Sequence, residues 1–257
     1  MTPLTRNVVA MLAMFIAATA VQPRADAAEP PRGAKGAQAE VQIGLCAPTV
    51  QIVRALDLRP HGGPITVWQF DDPVLTLFGR GLRLRLRVDA GGHSVLTLKV
   101  ADQDCARLGT ELIPPGEGKC EFDVYGKNMA GAVSLDLRLD RKSTNDLLAG
   151  RLKPAQVLSA SQVKYLREVV GTWPLPSGIR KLGPMKVQTY RTKGKLDDID
   201  ISQLPGGEQF AEISRKVPLE DALRTMGVMQ AELSQSGVEV CADQSSQAGN
   251  KLRSLLR

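Results

Sequence analysis

The sequence predicts an α+β fold, mainly antiparallel β, whose sheet forms a closed or nearly closed β-barrel (a tunnel) with helices packed outside. Apolar and polar residues alternate along several segments, turn-forming residues separate those segments, and two mid-chain stretches change to helical spacing. Closing such a sheet would turn its polar faces inward and leave its apolar faces for helices to cover.

The first 27 residues are predicted to be a cleavable signal peptide. Arg6 precedes an uncharged apolar stretch over residues 8–21, and Ala25-Asp26-Ala27 has the small-x-small pattern of a cleavage site. That stretch is shorter than the roughly 20 residues needed to cross a bilayer, so we expect no transmembrane anchor. The protein is therefore expected to be exported, either to a periplasm or as a secreted protein.

The rest of the chain is expected to form one domain between two polar ends. Residues 28–39 are rich in Ala, Gly and Pro and are predicted to be a flexible lead-in. The barrel domain is expected to span residues 40–243. Residues 244–257 form a polar, basic tail for which disorder stays open.

Four cysteines lie after the predicted cleavage site, which favours two disulfide bonds in an oxidising compartment. Four cysteines allow three pairings. We favour Cys105–Cys120, which closes a short loop, and hence Cys46–Cys241, which would join the two ends of the domain. Zinc is disfavoured because the chain has no CxxC pair and two histidines.

Taken in chain order, the segments are mostly strands. Alternation predicts strands around Val41–Leu45, Leu82–Val88, Leu96–Val100, Phe122–Val124 and Val133–Leu139. Helices are predicted at 143–150 and 159–170, with Ser143 and Ser159 as N-caps. Strands return at 185–191, 195–201 and 208–217, and a helix is predicted from Leu219 to about Ser234.

Basic residues repeat on the polar face of two of these strands. Arg83, Arg85 and Arg87 would project on one face about 7 Å apart, where they repel one another unless an anion or carboxylates lie among them. Lys99 follows on the next strand, and Glu121 and Asp123 could balance these cations or hold a divalent metal. The alternative is a polar face that simply meets solvent.

The order of these segments resembles the CYTH domain, the triphosphate tunnel family of class IV adenylate cyclases, thiamine triphosphatases and inorganic triphosphatases. The matching stretches are Glu40-Val41-Gln42-Ile43-Gly44, Phe70-Asp71-Asp72-Pro73, Gly81-Leu82-Arg83-Leu84-Arg85, Leu96-Thr97-Leu98-Lys99 and Phe210-Ala211-Glu212-Ile213-Ser214. The resemblance implies an antiparallel barrel, basic residues around a polyphosphate, and carboxylates holding Mg²⁺ or Mn²⁺ for attack on the terminal phosphoryl group.

The chain departs from the family pattern at the metal site. The family opens with Glu-x-Glu-x-Lys, whereas this chain has Glu40, Gln42 and Gly44, and Ser214 stands where a second late acid is common. The candidate metal ligands are therefore Glu40, Glu121, Asp123 and Glu212. The candidate phosphate ligands are Arg83, Arg85, Arg87, Lys99 and Arg191, although a surface position is favoured for Arg191.

Three functions stay open on this basis. The favoured one is an exported CYTH-like domain that binds a phosphorylated or polyanionic small molecule in a basic tunnel, with weakened or lost catalysis. The second is a metal-dependent phosphohydrolase acting on a triphosphate or polyphosphate. The third is a non-enzymatic envelope protein with a solvated charged sheet. Nucleic acid is disfavoured because aromatic residues make up 4% of the chain.

Overall fold

The computed structural model describes residues 37–105, 107–108, 111–192, 197–244 and 247–257. The strands are β1 Gln38–Leu45, β2 Leu58–Pro60, β3 Ile65–Asp71, β4 Leu82–Val88, β5 Ser94–Val100, β6 Gly118–Tyr125, β7 Asn128–Leu139, β8 Arg180–Thr192, β9 Asp198–Gln203 and β10 Gln209–Pro218. The helices are α1 Thr49–Ala55, α2 Thr76–Gly79, α3 Arg141–Leu148, α4 Pro154–Val157, α5 Ala160–Tyr165, α6 Ala222–Gln235 and α7 Gln247–Ser254.

The sheet closes on itself. Its strand order is β2-β8-β3-β4-β5-β7-β6-β1-β10-β9, and β9 pairs again with β8, so that all strands except the short β2 form a closed barrel. Every pairing is antiparallel except that of β1 with β6, which is parallel. The closed barrel predicted from the sequence is thereby confirmed, and the parallel pair is an addition to it.

Helices cover the outer face of the barrel, as predicted. Leu82, Leu84 and Leu86 of β4 are at most 2% exposed, and they belong to a cluster that includes Tyr165 at the end of α5 and Leu166 directly after it. A second cluster joins the outer face of β1 to α1 and α6. Because the apolar positions of each strand point outward, the alternate polar positions must point into the lumen.

The helix boundaries show which predictions were right. Ser159 is an N-cap, since its hydroxyl accepts a hydrogen bond from the Gln162 N–H at 3.2 Å. Ser143 is not: α3 begins earlier because the Asp140 carboxylate accepts the Ser143 N–H at 2.7 Å. The predicted helix from Leu219 starts with a 3₁₀ turn before α6. The short helices α1 and α2 were not predicted.

The two ends of the domain differ from expectation where the structure describes them. The predicted signal peptide and residues 28–36 lie outside the described residues. Strand β1 begins at Gln38, inside the predicted lead-in. In the tail, where disorder stayed open, α7 forms and buries Leu252 to 3% exposure. No helix among the described residues is long and apolar enough to span a membrane.

Both favoured disulfide bonds are present. Cys46–Cys241 joins the end of β1 to the segment after α6, and a β-bridge between Leu45 and Val240 lies beside it. Cys105–Cys120 links the loop after β5 to β6. No cysteine is free. The first bond therefore fastens the C-terminal segment, and with it α7, to the barrel.

We expect the two bonds to contribute unequally to stability. Cys46 and Cys241 are 195 residues apart and Cys105 and Cys120 are 15 apart. The chain-entropy model gives about 5 kcal/mol for the long loop and about 3 kcal/mol for the short one. The Cys46→Ser/Cys241→Ser variant should therefore lose more unfolding free energy in urea than Cys105→Ser/Cys120→Ser. Equal losses would contradict the predicted difference between the two bonds. Alkylation of the unreduced wild-type protein would contradict the presence of both bonds.

Candidate functional site

The inward faces of the strands enclose a cavity of about 420 Å³. Its lining divides by strand into three sectors. Strands β4 and β5 supply basic side chains, strands β6, β1, β10 and β9 supply carboxylates, and strands β3 and β8 supply mainly apolar side chains. The solvated sheet considered as the third possibility is wrong, because the charged faces of β4 and β5 line this lumen.

The basic sector gathers four of the five predicted phosphate ligands. Arg83, Arg85 and Arg87 all line the cavity, and Lys99 lies directly opposite Arg83 in the β4–β5 register. Arg191 is placed elsewhere: it is outside this lining and its Nε donates to Asp198 at 2.6 Å. The Arg191 side chain is half-exposed, in agreement with the surface position that the sequence favours for it.

Arg85 is the central member of the arginine row. Its Nε atom is screened from water and has no hydrogen-bond partner, and no carboxylate among the described residues lies within ion-pair distance of its guanidinium. Burial, reinforced by Arg87 and Arg83, lowers the pKa of Arg85 to about 10. At neutral pH the group still carries its charge, so a partly buried cation lines the lumen, attracted by Asp136 and Glu40 from beyond ion-pair distance.

Lys99 and Arg83 share one carboxylate. The Lys99 Nζ lies 2.5 Å from the Asp123 Oδ2, and the Arg83 Nη2 lies 3.8 Å from the same oxygen. Burial lowers the pKa of Lys99, the attraction of Asp123 opposes this, and Arg83 lowers it further. Asp123 therefore acts as the internal counter-ion of the basic sector.

Arg87 lies nearer to solvent than its neighbours. Its Nη2 donates to the Thr97 Oγ1 at 3.2 Å and lies 3.7 Å from Asp136, and the Thr97 hydroxyl donates to the same carboxylate at 2.5 Å. The Arg87 side chain is 34% exposed. This network marks the rim at which the basic sector meets solvent.

Three of the four predicted metal ligands, Glu40, Asp123 and Glu212, line the cavity, and Glu40 lies opposite Asp123 in the β1–β6 register. Asp123 is engaged with Lys99, and Glu121 lies outside the lining, between Lys119 and Lys216. Burial raises the pKa of Glu121, but these two lysines outweigh it and hold that pKa below its usual value. Among the described residues, no group of three or more His, Cys, Asp or Glu side chains is placed to hold a metal.

Two of the carboxylates that line the lumen accept hydrogen bonds from neighbouring side chains. The Gln42 amide donates to Glu40 at 3.0 Å, and the Thr189 hydroxyl donates to Asp200 at 2.6 Å. Asp200 lies opposite Glu212 in the β9–β10 register and was not predicted. Among the described residues these carboxylates form pairs and no cluster of three, so the structure shows no preformed Mg²⁺ or Mn²⁺ site.

The C-terminal segment closes one end of the lumen. The Gln244 side chain accepts the Gly44 N–H at 2.7 Å and donates to the Gly44 carbonyl at 3.0 Å. A Cβ at Gly44 would collide with the Gln247 side-chain amide, so a larger residue here would displace that side chain of α7. Gln247, Ala248 and Lys251 of α7 line the cavity.

Lys251 is the cation that sequence reasoning missed. Gly44 occupies the position at which the family pattern has a lysine, and the helix that covers Gly44 brings Lys251 to the same lumen. Two signals could have shown this: the spacing of residues 247, 248 and 251, which places them on one helical face, and the cysteine at 241 that fastens the segment.

The motif Phe70-Asp71-Asp72-Pro73 has a structural role. The Asp71 carboxylate accepts the N–H groups of Leu77 and Phe78 at 2.9 Å each, and Asp72 accepts the Thr76 N–H at 2.9 Å. These bonds fix α2 across the end of β3, where Phe78 contributes to the cavity lining. The pair is therefore occupied in anchoring a helix.

Two solved structures share this fold. An adenylyl cyclase candidate from Hippeastrum, for which a dominant triphosphatase activity is described, has a TM-score of 0.57 and 15% identity, covering 84% of this chain and 94% of its own. An adenylate cyclase candidate from Bacillus halodurans has a TM-score of 0.54 and 13% identity, covering 83% and 97%. No family model matches the chain, and neither does any curated protein. The resemblance is thus confirmed for the fold.

Removing the internal counter-ion, Asp123, should lower the stability of the protein and raise its affinity for an anion. In Asp123→Asn, Lys99 and Arg83 lose their shared carboxylate, so the free energy of unfolding should fall by about 3 kcal/mol. Triphosphate affinity, measured by calorimetry in EDTA, should rise because a competing negative charge is gone. The control Asp221→Asn breaks an exposed pair with Arg224 and should change both quantities little. Unchanged affinity in Asp123→Asn would contradict this role.

Proposed function

We propose that this protein is exported and binds a phosphorylated or polyanionic small molecule in the lumen of its barrel, without efficient turnover. The observation that carries the proposal is the state of Arg85, a partly buried cation whose Nε is screened from water without a partner and which stands between two further arginines. Like charges arranged in this way repel one another. A bound polyanion would remove that repulsion and supply the missing hydrogen-bond acceptor.

The geometry favours an anion with several charges. Arg83, Arg85 and Arg87 lie along one strand, and alternate positions on a strand are about 7 Å apart. A single phosphate reaches one or two of these groups, whereas a chain of phosphates can follow the row. Lys99 and Lys251 add charge at the sides of the same cavity.

Export is proposed from the predicted signal peptide together with the two disulfide bonds. Disulfides form and persist in oxidising compartments and are rare in the cytosol. All four cysteines are paired, which supports an extracytoplasmic location for the folded protein.

A metal-dependent phosphohydrolase is the second candidate. It is supported by Glu40 and Glu212, which line the same cavity as the arginine row, and by the triphosphatase activity described for the Hippeastrum neighbour. Against it stand the lack of a three-carboxylate cluster among the described residues and the engagement of Asp123 with Lys99. Release of phosphate from triphosphate in Mg²⁺ or Mn²⁺, abolished by Glu212→Gln and Glu40→Gln, would establish this alternative in place of simple binding.

Arg85 provides the direct test of anion binding. Triphosphate at a hundredfold excess over its dissociation constant should stabilise the wild-type protein by about 2.7 kcal/mol. Arg85→Ala should abolish this stabilisation, while the ligand-free variant melts no lower than wild type because repulsion within the row is relieved. Thermal unfolding with and without triphosphate measures both effects.

Arg59→Ala is the matched control, because Arg59 is exposed on β2 and lies outside the cavity lining. It should keep the full ligand-induced shift. The shift in the wild type should also persist in moderate salt, which screens surface attractions more than buried ones. If pyrophosphate, triphosphate and nucleotides all leave the melting temperature unchanged, the protein is not an anion-binding domain.

Lys251 should contribute to affinity from the closed end. Lys251→Ala removes a lumen cation and should weaken triphosphate binding about tenfold, the effect expected for loss of one charge-assisted contact. Lys251→Arg should retain most of the affinity. Arg253→Ala, on the same helix but outside the lining, is the control and should bind as wild type does. Equal affinity in all three variants would show that α7 only closes the barrel.

A further inference from the structure

The lumen has an apolar wall beside the arginine row. Ile65 and Val67 of β3 and Met185 and Val187 of β8 all line the cavity. The register places Val67 opposite Arg87 on one side and Met185 on the other, and Ile65 opposite Val187. These four side chains therefore form a continuous surface, here called the apolar wall, next to the cationic strand β4.

An inorganic polyphosphate would gain nothing from this surface. Phosphate oxygens need hydrogen-bond donors or cations, and aliphatic side chains offer neither. Polar residues would cost little at lumen positions, because the neighbouring strands carry them there. Apolar side chains facing a cavity do favour the burial of an apolar group.

The wall also has a packing role, which must be distinguished from a binding role. Val67, Met185 and Val187 are buried with Leu204, and Leu255, just beyond α7, packs against them. Packing alone would account for the burial of these residues. It does not account for the same residues facing the open volume of the cavity beside the cations.

We propose that the ligand is an organic anion: a phosphate or diphosphate group that contacts Arg85 and its neighbours, esterified to an apolar group that lies on the apolar wall. This inference rests on the proposed function and narrows it. Phosphate esters of branched aliphatic or aromatic alcohols have the required chemistry, because the anionic and apolar parts are joined at about the distance between adjacent strands.

The test compares two diphosphates with the same charged group. Methyl diphosphate and 3-methylbutyl diphosphate differ in aliphatic carbon alone, and 3-methylbutanol serves as the uncharged arm. Calorimetry on the full disulfide-bonded protein in EDTA should show that 3-methylbutyl diphosphate binds at least about tenfold more tightly than methyl diphosphate, since each buried CH₂ favours binding. The alcohol alone should bind weakly.

Variants of the apolar wall locate the effect. Val187→Thr and Val67→Thr keep the side-chain shape and introduce a hydroxyl, so each should reduce the preference for 3-methylbutyl diphosphate while methyl diphosphate binds as before. Val228→Thr, at an exposed position of α6, is the matched control and should keep the preference. Melting temperatures of the ligand-free variants record any loss of packing against Leu255 separately.

The outcomes separate this inference from the proposed function. Equal affinity for the two diphosphates overturns the apolar wall as a binding surface and leaves anion binding intact. Tight binding of inorganic triphosphate without binding of either diphosphate ester has the same meaning. A preference that both threonine variants retain also overturns it. If no phosphate compound binds, the proposed function fails as a whole. Preference in the wild type, with loss in either variant, supports the inference.

Discussion

The closure of the barrel is the constraint on which the rest of the structure depends. In an open sheet, Arg83, Arg85 and Arg87 could each extend into water, and their mutual repulsion would be weak. Closure between β8 and β9 turns the alternate positions of every strand into a shared lumen. The repulsion must then be balanced inside the molecule, and Asp123 balances Lys99 and part of Arg83, whereas Arg85 forms no ion pair among the described residues.

The alternation of apolar and polar residues along the strands made the enclosed arginine row predictable. Leucine at 82, 84 and 86 with arginine at 83, 85 and 87 defines two faces, and the repulsion within the arginine face indicated an enclosed site. The disulfide pairing also followed from the sequence, because one pairing closes a short loop and the other joins the two ends. The alternation is a local feature, and the disulfide pairing depends on where the four cysteines stand along the chain.

The parts that could not be predicted depend on contacts between distant segments. Lys251 lines the lumen from α7, and the segment before α7 is held to β1 by Gln244, whose side chain bonds to the Gly44 backbone 200 residues earlier. The apolar wall could not be predicted because the sequence indicates a strand at 185–191 but does not show which of its faces points into the lumen. Helix α1 is seven residues long and gives too little periodicity to be recognised. Glu121 pairs with Lys119 on its own strand and with Lys216 of β10, and the second of these contacts joins distant segments.

The charge pattern of the lumen is the reason why we propose binding rather than hydrolysis. A metal held among carboxylates needs those groups free of other cations, since each ion pair uses an oxygen that the metal would occupy. Here Asp123 is bound by Lys99, and Gln42 rather than an acid accompanies Glu40. Substituting a neutral amide for a carboxylate keeps a hydrogen bond and removes a charge. The same substitution makes the lumen less repulsive to an anion that arrives without a metal, so the features that weaken a catalytic centre strengthen a binding site.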